Sequence, residues 1–201
     1  MSTYDLEKTA VVLIGYQNDY FADEGRLVGA LEGDWRRTML ENTNRLLDSL
    51  QETPATIIST PIQFTPDYRE LVEPTGILKT IVDVGAFREG DPGSETIDDL
   101  RQRGDRILEI PGKRGLNAFS NTELGATLEA RGIEDLVLAG VVTSICIDST
   151  GRAAAERGYR VSVLSDCTAG RTDYEQEFYC GSIFPLYARV VGLDELCGAR
   201  T

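Results

Sequence analysis

The segment of residues 140–148 (GVVTSICID) contains the residue best suited to covalent chemistry. Its cysteine, Cys146, lies where a run of branched strand residues gives way to a segment of helical period. At the first turn of a helix, unpaired backbone N–H groups and the positive end of the helix dipole stabilise a thiolate. The same N–H groups can bind the oxyanion that forms when a thiolate attacks a carbonyl. Position alone is equally consistent with a small buried thiol that only packs.

Two other polar residues follow other predicted strands. Lys113 comes shortly after a strand that ends at Ile110, and its ammonium would favour a nearby thiolate or orient a substrate oxygen. A solvated surface lysine is the alternative interpretation. Asp19, in the segment GYQNDYF after the first strand, could act as a base, although an aspartate in a turn usually accepts hydrogen bonds from backbone amides.

A parallel sheet covered on both faces would position these residues, because short β-branched runs alternate with longer segments of helical period. We predict strands at residues 9–14, 55–59, 106–110, 135–139, 160–165 and 188–191. Five helices are predicted. The first covers residues 35–50, the second runs from a cap at Ser94 to residue 103, and the third covers residues 121–131 and is closed by Gly132. The fourth follows the strand of residues 135–139 and ends near residue 157, and the fifth covers residues 173–185. The connection of residues 61–93 exceeds ordinary loop length, which predicts short elements within it. Ligands bind at the carboxyl ends of the strands in such sheets.

Length and composition exclude several classes of protein. The chain has 201 residues, of which 41% are hydrophobic and 26% charged, which predicts a single globular domain over residues 1–201. A formal net charge of -13 repels phosphate backbones and anionic lipid, so neither nucleic acid nor a membrane is an expected partner. The polar start and the lack of a long apolar run predict a cytoplasmic protein.

The chain has no histidine, which excludes the Ser-His-Asp and Cys-His nucleophile designs and most zinc chemistry. We expect no metal site and no cofactor. The cysteines lack CxxC spacing and are predicted to be free thiols: Cys146, Cys167, Cys180 and Cys197. Nucleotide binding is disfavoured, because neither GxGxxG nor GxxxxGK[ST] occurs.

Several separated motifs together resemble the isochorismatase-like cysteine hydrolases, over nearly the whole chain. They are LIGYQNDYF at the first strand; the turn Gly90, Asp91, Pro92 and Gly93; Lys113 with the following NAF and NTEL; and GVVTSICI at residues 140–147. The resemblance implies a three-layer α/β/α fold with a mainly parallel six-stranded sheet. It also implies a homo-oligomer, a dimer or tetramer, that acts on a small-molecule substrate.

By the same resemblance, Cys146 is the nucleophile that attacks an amide-type carbonyl, and Lys113 is its cationic partner. A cis peptide is implied at Val141–Val142, in a turn with Thr143 that would aim amide groups at the oxyanion. The family's catalytic aspartate does not transfer, because Gly15 stands in its place. That departure disfavours isochorismate cleavage, and the absence of histidine disfavours the metal site of the nicotinamidase branch.

Two accounts of Gly15 remain open. In the first, the protein is a hydrolase whose proton transfers fall to another carboxylate, such as Asp19 or Glu73, or to substrate or water. In the second, it is a binding or assembly protein on an enzyme fold. We predict a substrate pocket beside the first strand, with contributions from residues 61–87 and from Tyr174 or Phe178. Its lining residues at that strand are Gly15, Tyr16, Gln17 and Tyr20.

Overall fold

Six parallel strands form one sheet in the order β3-β2-β1-β4-β5-β6. The structure, a computed structural model, describes residues 4–31 and 35–197. The strands are β1 (Thr9–Ile14), β2 (Thr56–Thr60), β3 (Leu108–Glu109), β4 (Asp135–Val141), β5 (Arg160–Ala169) and β6 (Arg189–Val191). The predicted three-layer α/β/α fold with a parallel six-stranded sheet is confirmed.

Helices cover both faces of this sheet. They are α1 (Asn18–Phe21), α2 (Trp35–Leu50), α3 (Gly76–Val84), α4 (Asp98–Arg101), α5 (Leu124–Ala130), α6 (Asp148–Glu156), α7 (Asp173–Phe178) and α8 (Leu193–Cys197). The cluster on one face includes buried side chains of α2, α3 and α8, and the cluster on the other includes those of α5 and α6. Both faces of the central strands are therefore sealed from water.

The central strands β1 and β4 are buried along their whole length. In β1, Val11 and Leu13 pack into one cluster while Val12 and Ile14 pack into the other. A strand that is buried on both faces has no solvent-facing side, which explains why β1 is apolar without interruption from Ala10 to Ile14.

The structure agrees closely with the prediction for the first strand and the long helix, since β1 and α2 have the predicted bounds. Gly132, with φ 63°, follows α5 as expected. The connection of residues 61–93 does hold short elements, among them α3. The predicted cap at Ser94 was wrong, because Ser94 ends a 3-10 turn, its hydroxyl donates to the Asp91 carbonyl, and α4 begins only at Asp98.

Other boundaries also differ. The predicted strand of residues 106–110 has only two residues in the sheet, whereas β5 continues to Ala169 past an irregularity in its pairing with β4. The predicted helix of residues 173–185 divides into α7, a π-helical turn (Tyr179–Ile183) and a 3-10 turn (Phe184–Leu186). Pro185 lies within the 3-10 turn and has no backbone N–H to donate, so an α-helical hydrogen bond cannot form at that residue.

Within residues 4–31 and 35–197, no helix combines the length and apolar character needed to cross a bilayer. Cys146 and Cys180 are free thiols, as predicted. The side chain of Cys197, residues 1–3 and 32–34, and the chain end after residue 197 lie outside the part that the structure describes.

Candidate active site

Lys113 and Cys146 meet at the carboxyl edge of the sheet, where the Lys113 Nζ donates to the Cys146 Sγ at 3.5 Å. Lys113 is 1% exposed and Cys146 is 7% exposed. The Lys113 amine and the Cys146 sulfur are therefore in direct contact inside the protein. Among the described residues, no carboxylate oxygen lies within 4.0 Å of the Lys113 Nζ.

The backbone on either side of the sheet edge holds the two side chains in place. Lys113 pairs in parallel with Ile62, and its carbonyl accepts from the Gln63 amide at 3.0 Å. Cys146 lies in a π-helical turn (Thr143–Ile147) that leads directly into α6. The cysteine therefore occupies the start of a helical segment after β4, as the sequence predicts.

The peptide bond between Val141 and Val142 is cis, as the family resemblance implied. The Val142 carbonyl accepts from the amides of Ile145 and Ile147 at 3.0 and 3.3 Å. Thr143 is buried, and its hydroxyl donates to the Gln176 side chain at 2.6 Å. The turn is thus tied both to the helical segment that carries Cys146 and to α7.

Gly15 stands where this turn approaches the end of β1. Its φ is 76°, and a Cβ built on it would lie 2.7 Å from the Val141 carbonyl oxygen and 2.9 Å from the Val141 Cγ2. Real Cβ atoms do not come so close to a backbone oxygen, so residue 15 has space for glycine only in this arrangement. The Val141 backbone occupies the direction in which a side chain at residue 15 would point.

Asp19 is buried, but its carboxylate contacts backbone amides rather than the Lys113–Cys146 pair. Its Oδ2 accepts from the Phe87 amide at 2.6 Å, and its Oδ1 accepts from the Arg26 amide at 3.2 Å. These hydrogen bonds join two loops to α1. Acceptance of hydrogen bonds from backbone amides is the alternative role that the sequence analysis gave for this aspartate. The role of Asp19 as a base stays a prediction. Glu73 is exposed, in left-handed backbone at φ 47°.

The predicted pocket residues after β1 are packed inside the protein. The Tyr16 hydroxyl is 2.7 Å from the Thr43 hydroxyl, and the Gln17 side chain bridges backbone groups of Ile62 and Ser94. Burial raises the pKa of the Tyr20 phenol, and the neighbouring Cys146 and Asp19 raise it further. Of these residues, Tyr20 is therefore the one with an electrostatic link to the cysteine.

A cleft of about 900 Å³ adjoins the segment that carries Cys146. Leu116, three residues after Lys113, and Ile145, next to Cys146, both line it. Tyr174 and Phe178 also line it, whereas the predicted pocket residues Gly15, Tyr16, Gln17 and Tyr20 do not. The complete lining is Gly29, Ala30, Ile77, Leu116, Ser144, Ile145, Asp148, Ser149, Arg171, Thr172, Tyr174, Glu175, Phe178 and Tyr179.

A polar cluster in this cleft was not predicted from the sequence. The Glu175 carboxylate accepts from the Ser144 hydroxyl at 2.5 Å and from the Arg171 Nε at 2.8 Å. Burial alone would raise the pKa of the Glu175 carboxyl, but these bonds and the Arg171 amide lower it overall. The signal was the sequence TDYE at residues 172–175, a helix-start pattern in which the Thr172 hydroxyl accepts from the Glu175 amide at 3.1 Å.

The described residues contain no group of three or more Cys, Asp or Glu side chains placed to hold a metal ion.

The sheet order is that of the isochorismatase-like hydrolase fold, and the chain belongs to the isochorismatase family. The family model for the isochorismatase domain matches residues 9–195. This match covers β1 through most of α8, and so includes every element that carries the site.

Two curated relatives show the range of the similarity. The chain is 25% identical over 205 residues to the ureidoacrylate amidohydrolase RutB of Agrobacterium fabrum, with 95% of this chain and 89% of the relative covered. It is 27% identical over 141 residues to nicotinamidase 3 of Arabidopsis thaliana, with 69% of this chain and 70% of that protein covered.

Solved structures share the architecture. A cysteine hydrolase from Pseudomonas syringae pv. phaseolicola superposes with a TM-score of 0.82 at 20% identity, over 98% of this chain and 94% of the other. The N-carbamoylsarcosine amidase of Thermoplasma acidophilum superposes with a TM-score of 0.74 at 25% identity, over 93% and 97% of the two chains.

Proposed function

We propose that this protein is a hydrolase that cleaves an amide-type C–N bond of a small molecule through an acyl-enzyme on Cys146. The observation that carries the proposal is the 3.5 Å contact between the Lys113 Nζ and the Cys146 Sγ in a buried setting. The names of two similar proteins, an amidohydrolase and an amidase, support the same reaction class.

In the first half of the reaction, the Cys146 thiolate attacks the substrate carbonyl carbon and forms a C–S bond. Backbone amides of the turn at Val142 and Thr143 and at Cys146 itself stabilise the oxyanion. The C–N bond then breaks, and the leaving nitrogen takes a proton from the Lys113 ammonium. The products of this half are an amine or ammonia, a thioester and a neutral Lys113 amine.

In the second half, water attacks the thioester carbonyl and gives its proton to the Lys113 amine. The C–S bond breaks, the acid leaves, and the thiolate–ammonium pair is restored. Lys113 takes this role because the Asp19 carboxylate is bonded to backbone amides and residue 15 carries no side chain. Loss of a dedicated general base typically costs about 10²- to 10⁴-fold in rate, so slow turnover is expected.

The alternative is a binding or assembly protein that retains the family fold. The observation in its favour is the close approach of the Val141 carbonyl to Gly15, which occupies the direction of the missing carboxylate. On that account ligands bind in the cleft and no acyl-enzyme forms. We also expect a small-molecule substrate, a homo-oligomer and a cytoplasmic location, which light scattering and cell fractionation would test.

The test is a panel of small amides and ureides assayed for release of ammonia or amine, with intact-mass detection of a thioester on Cys146. Cys146→Ala should abolish both signals. Cys180→Ala is the matched control, because burial raises the pKa of the Cys180 thiol to about 11 and it lies outside the pair. Equal hydrolysis by the Cys146→Ala protein would refute the covalent route. Ligand binding without turnover or adduct would favour the alternative.

A further inference from the structure

Gln176 is a buried amide of α7 that bonds both to the turn before Cys146 and to β5. Its Oε1 accepts from the Thr143 hydroxyl at 2.6 Å, and its Nε2 donates to the Ser165 carbonyl at 3.0 Å and to the Thr168 hydroxyl at 3.1 Å. Gln176 is 4% exposed, and Thr143 and Thr168 are fully buried. Because a carbonyl can only accept, the bond to Ser165 fixes which end of the amide faces Thr143. Rotation of the amide would break all three bonds.

An irregularity in the pairing of β4 and β5 lies beside Gln176. Four residues of β5 (164–167) stand opposite a single residue of β4 before the pairing resumes at Thr168. Extra residues in a strand leave backbone groups outside the ladder and re-aim side chains. The Ser165 carbonyl and the Thr168 hydroxyl, at the two ends of this irregularity, are the groups that accept from Gln176. The strand therefore departs from regular pairing where it holds the amide.

A second side chain of α7 bonds to the next residue of the turn. The Glu175 carboxylate accepts from the Ser144 hydroxyl at 2.5 Å and from the Arg171 Nε at 2.8 Å. Glu175 and Gln176 are consecutive in the chain, and so are Thr143 and Ser144. Two adjacent residues of α7 therefore hold two adjacent residues of the turn that precedes the nucleophile.

The oxyanion turn, residues 142–144, carries two of the amides that we assign to the oxyanion. Such donors act at about 2.7–3.1 Å from the developing charge, and a displacement of about 1 Å can cost about 100-fold in rate. The Val142 carbonyl ties the turn to the amides of Ile145 and Ile147, and the Thr143 hydroxyl ties it to α7. Without the Gln176 amide, the buried Thr143 hydroxyl would lose its acceptor, and the cost of an unpaired buried hydroxyl would favour a shifted turn.

We propose that Gln176 is a positioning residue, which acts through the Thr143 hydroxyl to hold the oxyanion turn where its amides meet the developing charge. Glu175 supports the same turn through Ser144. This role rests on the proposed function, because it concerns the step in which the Cys146 thioester forms. It is independent of which amide is the substrate.

The probe is p-nitrophenyl acetate, which can acylate a reactive thiol without being an amide. The Cys146 thiolate attacks the ester carbonyl, a C–S bond forms, and p-nitrophenolate leaves. Absorbance follows the release of p-nitrophenolate, and peptide mapping locates the acetyl group on Cys146. The rate of alkylation by iodoacetamide is measured beside it, because displacement of iodide by the same thiolate creates no oxyanion.

We expect Gln176→Met to slow acetylation of Cys146 about 10- to 100-fold and to change its alkylation less than about 3-fold. Thr143→Val should cause a similar loss, whereas Thr143→Ser keeps the hydroxyl and should keep most of the rate. Because Gln176→Met and Thr143→Val remove the same bond, the variant with both substitutions should be about as slow as the slower single variant. Ser162→Ala is the control, because it removes a buried hydroxyl of β5 that accepts from Tyr4 at 2.8 Å, and it should change neither rate.

Equal slowing of acetylation and alkylation, or losses that multiply in the double variant, would overturn the positioning role. Urea unfolding of each variant gives the folded fraction, and if Gln176→Met does not fold, the comparison of Thr143→Val with Thr143→Ser decides the question. Acetylation that depends on Gln176, with no hydrolysis of any amide, would uphold the role and contradict the proposed reaction. Amide hydrolysis that is unchanged in Gln176→Met would overturn the role and leave the reaction standing.

Discussion

The Lys113 ammonium lies 3.5 Å from the Cys146 sulfur, although 33 residues separate the two in the chain. Both side chains are buried at the carboxyl edge of one parallel sheet. The contact joins two segments that the sequence alone assigns only to the same edge of the sheet.

Replacing Lys113 by an uncharged residue should lower the reactivity of the Cys146 thiol. We expect Lys113→Met to reduce the rate of Cys146 alkylation at pH 7 by about 10-fold or more, because the thiolate loses an opposite charge at contact distance. The rate is measured with iodoacetamide and peptide mapping. Lys79→Met, at an exposed lysine paired with Asp83, is the control and should leave the rate unchanged. An unaltered rate in the Lys113 variant would remove the basis of the proposed pair.

A side chain at residue 15 should destabilise the protein. Gly15→Ala places a Cβ 2.7 Å from the Val141 oxygen in backbone at φ 76°. Left-handed backbone alone costs an alanine about 1 to 2 kcal/mol, and the overlap adds to that. We expect a clear loss in the free energy of unfolding measured with urea. Gly181→Ala is the control, because a Cβ there meets nothing within 4 Å.

The close approach of Val141 to Gly15 also affects any attempt to restore the family's catalytic aspartate at residue 15. Gly15→Asp must displace the Val141–Val142 turn before its carboxylate can reach the pair, so we expect lower stability rather than a gain in rate. A Gly15→Asp protein that is both stable and faster would show that the turn moves freely.

Removing the Asp19 carboxylate should lower the free energy of unfolding, because the carboxylate holds two loops by hydrogen bonds to their backbone amides. Asp19→Ala leaves the Phe87 and Arg26 amides without their acceptor, at about 2 to 4 kcal/mol in total. Thermal and urea unfolding measure the loss, with exposed Asp23→Ala as the control. If Asp19→Asn instead kept full stability and abolished hydrolysis, Asp19 would be the base after all.

The lowered pKa of Glu70 predicts that this carboxylate stabilises the fold in a pH-dependent way. Burial alone would raise the pKa of Glu70, but hydrogen bonds from the Thr65 amide and hydroxyl, with Arg114 nearby, lower it to about 2. A lowered folded-state pKa means that the unfolded chain binds the proton more tightly. The stabilisation is therefore fully present above the ordinary pKa of 4.5 and is lost as pH falls towards 2.

Glu70→Gln should lower the free energy of unfolding by about 2 kcal/mol at pH 7, and the difference from the unsubstituted protein should shrink between pH 5 and pH 2. Urea unfolding at stepped pH measures it. Glu24→Gln, at an exposed carboxylate, should show no such trend. A difference that grew as pH fell would contradict the assignment.

The sequence predicted those parts of the fold that depend on local burial. The apolar run of β1 and the helical period of α2 report burial directly, and both elements have their predicted bounds. The short strand β3 and the divided helix after residue 173 were less predictable, because edge pairing and turn geometry depend on neighbours distant in the chain.

By itself, the sequence determined the class of fold, the sheet edge that carries Lys113 and Cys146, and the absence of histidine chemistry. The tertiary structure alone decided that the Asp19 carboxylate binds the Phe87 amide 68 residues away, that the Val141 carbonyl packs on Gly15, and that residues of α7 line the cleft beside Ile145. The physical reason is that periodicity records which side chains avoid water. Which donor meets which acceptor depends on how loops from remote segments approach one another.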